Sequence, residues 1–210
     1  MIEMIKPMDI EEKSMEIIES NLNRREWSEP EFSVVKRCIH TSADFDYADN
    51  LRFSKGAAEK GMNALRNGAH IVTDTSMAAA GINKRMLERY GGKVHCFIGD
   101  LDVAEKAKTS GWTRSAVSMD KASELDVSVI FAIGNAPTAL IRLKELIDEG
   151  KIKPELVIGV PVGFVNVIES KEMITETDIP YIVAVGRKGG SNIAAAICNA
   201  LLYYGVERSP

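Results

Sequence analysis

His40 and Arg37 are the residues of this chain whose types and spacing best suit chemistry. They stand three positions apart, and His40 precedes a loop with three aspartates and three aromatic residues. A histidine can donate or accept a proton near neutral pH, and an arginine can bind a carboxylate through two parallel N–H bonds. The pair therefore indicates acid–base chemistry on an anionic ligand.

A helix over about residues 28–40 would position both side chains. Ser28 is the predicted N-cap, Pro30 falls in the first turn, and Glu31 can close a capping box. Arg37 and His40 then share one face and can converge on one ligand. The helix dipole in the last turn favours the imidazolium form of His40, which suits it to donate a proton. The alternative is a histidine that only caps or packs the helix end. The apolar residues of a neighbouring face are Val34, Val35, Cys38 and Ile39.

The rest of the chain alternates strand-like and helix-like segments. Five short, β-branched runs are each followed by a helical pattern, which predicts an α/β fold. We expect a single Rossmann-like domain over residues 1–210, with a mainly parallel sheet of about five strands flanked by helices. A helical arm over about residues 9–40 is expected to pack on this core. The five runs are IVTD, VHCFIG, VSVIFAIG, ELVIGV and YIVAVG.

Ligands of such sheets bind beyond the carboxyl ends of the strands, so the turns there are candidate binding segments. They are TDTSM, GNAPT, GVPVG and GRKGGSN. In the last of these, Arg187 and Lys188 supply positive charge, and Gly189 and Gly190 allow a ligand to approach the backbone. Ser191 is the predicted cap of the following helix. The alternative for this segment is a tight turn with two solvated cations.

Composition excludes several classes of protein. The net charge of −4 and the pI of about 5.5 argue against general nucleic-acid binding, which needs a basic surface. The absence of a long apolar run and of a secretory leader predicts a cytoplasmic protein without a membrane partner. The three cysteines show no CxxC spacing and are expected to be buried thiols. Although His95 and Cys96 are adjacent, neighbours on a strand point to opposite faces, so we expect no metal site.

Beyond these physical signals, the segment IHTSADFDYADNLRFS resembles the signature of the precorrin-8X methylmutase family. Six further segments resemble family segments in family order, from about Asp9 to Leu202. They are DIEEKSMEIIE, IVTDTSMAAAGI, TRSA, IGNAPTAL, GVPVGFVNVIESKE and YIVAVGRKGGSNIAAAICNALL. The resemblance implies an isomerase of corrin ring synthesis on the route to cobalamin. Such an enzyme moves a methyl group from C-11 to C-12 of precorrin-8X or cobalt-precorrin-8, giving hydrogenobyrinate or cobyrinate.

The resemblance also implies roles for particular residues. His40 matches the catalytic histidine of the family and would act as proton donor and acceptor. Ser14 and Arg37 match substrate-binding positions. The further residues that we expect to contact substrate lie in family-like motifs: Thr41, Arg114, Thr138, Arg187 and Lys188. The implied ligand is a polycarboxylate tetrapyrrole that can itself carry cobalt, the implied assembly is a homodimer, and no cofactor is required.

The loop after His40 needs a separate account, because aspartates facing the pocket would repel a carboxylate-rich ligand. We expect one of Asp44, Asp46 and Asp49 to orient His40 or to pair with Arg52, and the others to form Asx-type bonds. The aromatic residues of this segment can form either an apolar wall for the macrocycle or part of the core: Phe45, Tyr47 and Phe53.

Two alternatives from other functional classes stay open. The first is a tetrapyrrole carrier that keeps the pocket without the chemistry. The second is an unrelated Rossmann-like transferase that binds a nucleotide at GRKGGSN. Against the second, no GxGxxG follows a strand, and Lys188 precedes the glycine pair, whereas a Walker A lysine follows its second glycine.

Overall fold

The computed structural model describes residue 6, residues 9–22 and residues 27–206. In these residues one six-stranded sheet forms, with strand order β1-β6-β5-β4-β2-β3. Its strands are β1 (Leu51–Phe53), β2 (His70–Thr73), β3 (Val94–His95), β4 (Val129–Ile133), β5 (Leu156–Gly159) and β6 (Tyr181–Ala184). Strands β2 to β6 pair in parallel, and this confirms the predicted α/β fold with its mainly parallel sheet.

The central strands consist of apolar residues because the sheet is covered on both faces. Every residue of β4 and β5 is buried, as expected for parallel strands between two helical layers. The edge strand β3 is shorter than the predicted run VHCFIG, since only Val94 and His95 pair with β2. The short strand β1 was not predicted. It runs antiparallel to β6 at the other edge of the sheet.

The helices connect and cover these strands. The bounds of the first six are α1 (Ile10–Ser20), α2 (Glu29–Ser42), α3 (Tyr47–Asn50), α4 (Ala57–Arg66), α5 (Ser76–Gly81) and α6 (Lys84–Arg89). The other five are α7 (Leu101–Ser110), α8 (Arg114–Ala122), α9 (Pro137–Asp148), α10 (Val167–Thr175) and α11 (Ser191–Tyr203). In the part of the chain so described, no helix is long and apolar enough to cross a membrane.

Helix α2 begins where its local sequence predicts. Ser28 occupies the N-cap position, and its backbone N–H donates a 2.9 Å hydrogen bond to the carboxylate of Glu31. The helix continues to Ser42, two residues beyond His40, and ends at Ala43, which has a left-handed backbone conformation. The four residues predicted to share an apolar face are all buried: Val34, Val35, Cys38 and Ile39. This face packs into the main core, alongside residues of α11.

Candidate functional site

The carboxyl ends of the parallel strands meet on one side of the sheet, which we call the carboxyl edge. The turns after β2, β4, β5 and β6 lie there. Because β1 runs antiparallel to β6, the segment that precedes β1 reaches the same side. The N–H of Val185 donates a 2.8 Å bond to the carbonyl of Asn50, so this segment is joined to the end of β6.

Asp74 ties two of these turns together. It follows β2, is 1% exposed, and accepts hydrogen bonds from three backbone N–H groups at the start of α9. Gly134 donates to Oδ1 at 2.9 Å, and Asn135 and Ala136 donate to Oδ2 at 2.8 and 2.7 Å. Burial raises the pKa of the Asp74 carboxyl, whereas the three bonds act against that rise. The sequence marked this turn as a binding segment but gave no signal that its aspartate is structural.

The turn after β6 packs closely against the turns after β2, β4 and β5. A Cβ atom on Gly134 would come within 2.6 Å of the Cα atom of Ser191, and one on Gly189 would come within 2.1 Å of the Val160 carbonyl oxygen. The hydroxyls of Ser191 and Thr75 lie 2.7 Å apart. The predicted cap role of Ser191 is wrong, because Gly190 takes the N-cap position and Ser191 joins α11 to the turn after β2 instead.

The end of α2 presents His40 at the surface. His40 and Thr41 are exposed in the last turn of the helix. Arg37, one turn earlier, is half-buried, and its Nη1 atom donates a 2.7 Å bond to Glu11 of α1. The helix thus places the three side chains near one end, with the arginine held by the preceding helix. Ser14 of α1 donates its hydroxyl proton to the carbonyl of Ile10 at 2.7 Å, and its binding role stays a prediction.

Lys188 is bound by two of the three aspartates that follow His40. Its Nζ atom lies 2.6 Å from Oδ2 of Asp44 and 2.6 Å from Oδ2 of Asp46. The bond from Lys188 holds the pKa of Asp44 below its ordinary value, and the two carboxylates raise the pKa of Lys188. Asp44 also accepts the Asp46 N–H at 3.0 Å, which is the predicted Asx-type bond.

This pairing changes the interpretation of the charges in the loop. Lys188 neutralises one of the two negative charges, so Asp44, Asp46 and Lys188 together keep a net charge of about −1 and repel an anionic ligand less than two unpaired carboxylates would. Arg52 donates to the backbone carbonyls of Asp49 and Leu51 at 2.7 and 2.9 Å. The pairing of Asp44 and Asp46 is therefore with the turn after β6. In that turn Arg187 is exposed.

Arg114 and Thr138 lie together in a second group at the carboxyl edge. Thr138 stands in the first turn of α9, and its hydroxyl lies 2.8 Å from that of Thr113, the N-cap of α8. Arg114 follows Thr113 and is exposed. A cavity of about 300 Å³ adjoins this group and is lined in part by Thr113, Thr138 and Trp112. The predicted binding residues thus form two groups, one around α2 and the turn after β6, the other at the starts of α8 and α9.

The aromatic residues of the loop divide between core and surface. Tyr47 is buried, and burial raises its pKa to about 12. Phe53 is partly buried against the main core, whereas Phe45 is 41% exposed. Of the three, Phe45 is the one whose exposure suits an apolar wall.

Several large apolar side chains that the sequence analysis did not single out are also exposed at the carboxyl edge. We call them the apolar rim: Met77, Leu101, Phe164 and Val165. Phe164 is 86% exposed and Val165 is 76% exposed, in the turn after β5. Large apolar side chains exposed on one side of a protein are candidates for contact with a partner or a ligand. A single exposed apolar residue is common on protein surfaces. What indicates a binding surface here is that the four residues lie on the same side of the sheet, and only the fold shows this.

The histidines of the sheet pair with each other. Nδ1 of His70 lies 2.8 Å from Nε2 of His95, and the rings stack with centroids 5.0 Å apart. Burial lowers the pKa of both imidazoles. No group of three or more His, Cys, Asp or Glu side chains able to hold a metal ion occurs within the described residues. The expectation of no metal site stays a prediction.

Comparison with known proteins yields one consistent family. The family model for precorrin-8X methylmutase matches residues 9–204. A cobalt-precorrin-8 methylmutase of Salmonella typhimurium is 47% identical over 205 residues, which cover 95% of this chain and 96% of that protein. One from Priestia megaterium is 44% identical over 197 residues, covering 94% and 88%. The solved structure of precorrin-8X methyl mutase from Thermus thermophilus is 40% identical, superposes with a TM-score of 0.88, and covers 96% and 100%.

The substitution Asp74→Asn tests whether this carboxylate secures the carboxyl edge. An amide offers one acceptor oxygen and turns an NH₂ group toward backbone donors, so at least one buried N–H loses its partner. We expect a loss of roughly 2–4 kcal/mol in the free energy of unfolding, measured by urea denaturation. The exposed Asp126 provides the control, since Asp126→Asn should change stability by no more than about 0.5 kcal/mol. Equal effects of the two substitutions would contradict the role of Asp74.

Proposed function

Because this chain belongs to the precorrin-8X methylmutase family, we propose that it moves a methyl group from C-11 to C-12 of precorrin-8X or cobalt-precorrin-8. The chain is an isomerase of cobalamin biosynthesis. The proposed products are hydrogenobyrinate and cobyrinate, and His40 is the proposed proton donor and acceptor. The rearrangement is intramolecular and by its chemistry needs no methyl donor or redox cofactor. We place the reaction in the cytoplasm.

The observation that carries the proposal is the position of His40. It is exposed in the last turn of a helix whose opposite face is buried in the core, so the backbone that holds it is fixed. An exposed imidazole at the carboxyl edge is suited to exchange a proton with a ligand that lies over the edge.

The chemistry explains why one proton donor is sufficient. Protonation of the ring-C nitrogen makes the neighbouring conjugated system electron-poor and lowers the barrier to migration of the methyl group. After migration, loss of a proton restores the neutral macrocycle in its newly conjugated form, so no net proton is consumed. General acid–base catalysis of this kind contributes about 10²–10⁴-fold, and the enclosure of the substrate in one conformation supplies further acceleration.

The basic residues are suited to the carboxylates at the periphery of the substrate. A guanidinium has five N–H donors, so Arg37 can bind Glu11 and a substrate carboxylate at the same time. This would fix the distance between the macrocycle and His40. We propose that Arg187 and Arg114, both exposed, bind further carboxylates, with Ser14, Thr41 and Thr138 as polar contacts. We assign Lys188 an indirect part in substrate binding, through the turn that carries it, because its own charge is already compensated by Asp44 and Asp46.

We also propose that two copies of the chain form a homodimer that encloses the substrate. The apolar rim supports this assembly, because four large apolar side chains are exposed on the side of the sheet where the site lies. A second copy would cover both a flat tetrapyrrole and the rim.

Substitution of His40 by alanine separates the mutase from a carrier. We expect His40→Ala to bind the corrinoid with an affinity close to that of the wild type and to lose turnover by about 10²–10⁴-fold. Binding is measured by titration of the visible spectrum, and turnover by the change in that spectrum under anaerobic conditions. His70→Gln, in the sheet, is the control and should keep turnover within about twofold. Wild-type turnover in His40→Ala would exclude its role as the acid and base.

Substitution of the apolar rim tests the dimer. We expect the double variant Phe164→Ser/Val165→Ser to shift the chain toward monomer in sedimentation velocity and to lower turnover, because both exposed apolar contacts are lost. Val127→Ser is the control, since Val127 is 44% exposed and precedes β4, at the amino ends of the strands and so away from the carboxyl edge. A double variant that remains dimeric would show that the rim does not form the dimer interface.

A further inference from the structure

Lys171 is a buried lysine for which the proposed reaction has no direct use. It lies in α10, is 1% exposed, and its Nζ atom donates hydrogen bonds of 2.8 Å to the carbonyls of Gly186 and Lys188. Lysine is almost never this buried unless its charge is bound, because removal of an ammonium group from water is costly. Here the acceptors are two backbone carbonyls of the turn after β6.

Those two carbonyls flank a basic residue that can meet an anionic ligand. Arg187 lies between them in the sequence and is exposed. The Gly186 and Lys188 carbonyls need a hydrogen-bond donor, because buried carbonyls without partners are destabilising. Gly186 has a φ of 75°, a left-handed conformation, and the N–H of Gly190 donates a 2.9 Å bond to the Val160 carbonyl, which joins this turn to the turn after β5. The ammonium group therefore fills the inner side of the turn while Arg187 occupies the outer side.

The same turn reaches the loop that follows the proposed acid. Lys188, whose carbonyl Lys171 binds, pairs through its own ammonium with Asp44 and Asp46. These aspartates follow His40 by only four and six positions in the sequence. A continuous series of polar contacts therefore runs from α10 through the turn after β6 to the end of α2.

We propose that Lys171 is a positioning residue whose ammonium group fixes the backbone of residues 186–188, so that Arg187 faces the substrate and Lys188 holds the loop after His40. This inference rests on the proposed function, since it assigns the turn to binding of the substrate carboxylates. A methionine of similar length would fill the same space but would leave both carbonyls without a donor. Burial lowers the pKa of Lys171 to about 8, so the side chain is still mainly protonated at neutral pH.

The test compares Lys171→Met with Lys171→Arg and with the exposed Lys60→Met as control. With precorrin-8 substrates we expect Lys171→Met to raise KM about tenfold, because Arg187 is no longer held toward the substrate. We expect kcat, corrected for the folded fraction, to fall by a smaller factor than that by which KM rises. Lys171→Arg keeps the charge and the N–H donors, and should recover part of the loss in KM. A purely structural role would instead reduce the folded fraction at unchanged KM.

Amide hydrogen exchange gives a second measurement that needs no substrate. In Lys171→Met we expect faster exchange at Val185 and Gly190, whose N–H groups bind the carbonyls of Asn50 and Val160. If Lys171→Met does not fold, Lys171→Gln takes its place in both measurements, and we expect a smaller effect in the same direction, because the glutamine side chain is neutral and one atom shorter. Unchanged KM together with unchanged exchange would overturn the proposal. Altered exchange in a chain whose wild type shows no turnover would keep the role of Lys171 in the turn and contradict the proposed function alone.

Discussion

The carboxyl edge depends on one buried carboxylate. Asp74 accepts three backbone N–H groups from the turn that opens α9, and each group would otherwise lack a partner inside the protein. This interaction joins the end of β2 to the end of β4. Thr75 continues the connection to Ser191 at the start of α11, and the bond from the Gly190 N–H to the Val160 carbonyl adds the turn after β5, so all four turns are connected. The predicted binding residues of both groups therefore lie on turns and helix ends that are hydrogen-bonded to one another.

Charge at this edge is organised by pairs of opposite sign. Lys188 binds two aspartates, Arg37 binds Glu11, and the buried Lys171 binds carbonyl oxygens. The pairs hold cations in place before a substrate arrives, which lowers the cost of ordering them on binding. In an acidic protein with a net charge of −4, the exposed Arg187 and Arg114 are then the residues left to present local positive charge to a polycarboxylate.

Features encoded by neighbouring residues could be predicted from the sequence. The start of α2 follows from Ser28 and Glu31, and its buried face follows from the helical spacing of its apolar residues. The five parallel strands follow from runs of β-branched residues. Strand β1 could not be found in this way, because three residues carry no periodic signal and its pairing with β6 bridges distant parts of the chain. Asp44 and Lys188, which bind each other, are 144 residues apart in the sequence, and Asp74 lies 60 residues from its first donor, Gly134. Such contacts exist only once the fold has formed, and so the roles of Asp74 and Lys171 remained hidden in the sequence.

The most direct test of the account follows the migrating methyl group itself. The purified chain is incubated anaerobically with precorrin-8X or cobalt-precorrin-8 that carries a ¹³C label in the C-11 methyl group, and the product is examined by NMR. The account predicts that the label appears at C-12 in the wild-type reaction, and that the faster of the two substrates identifies the natural one. A label that stays at C-11 while the corrinoid binds would contradict the account and indicate a carrier.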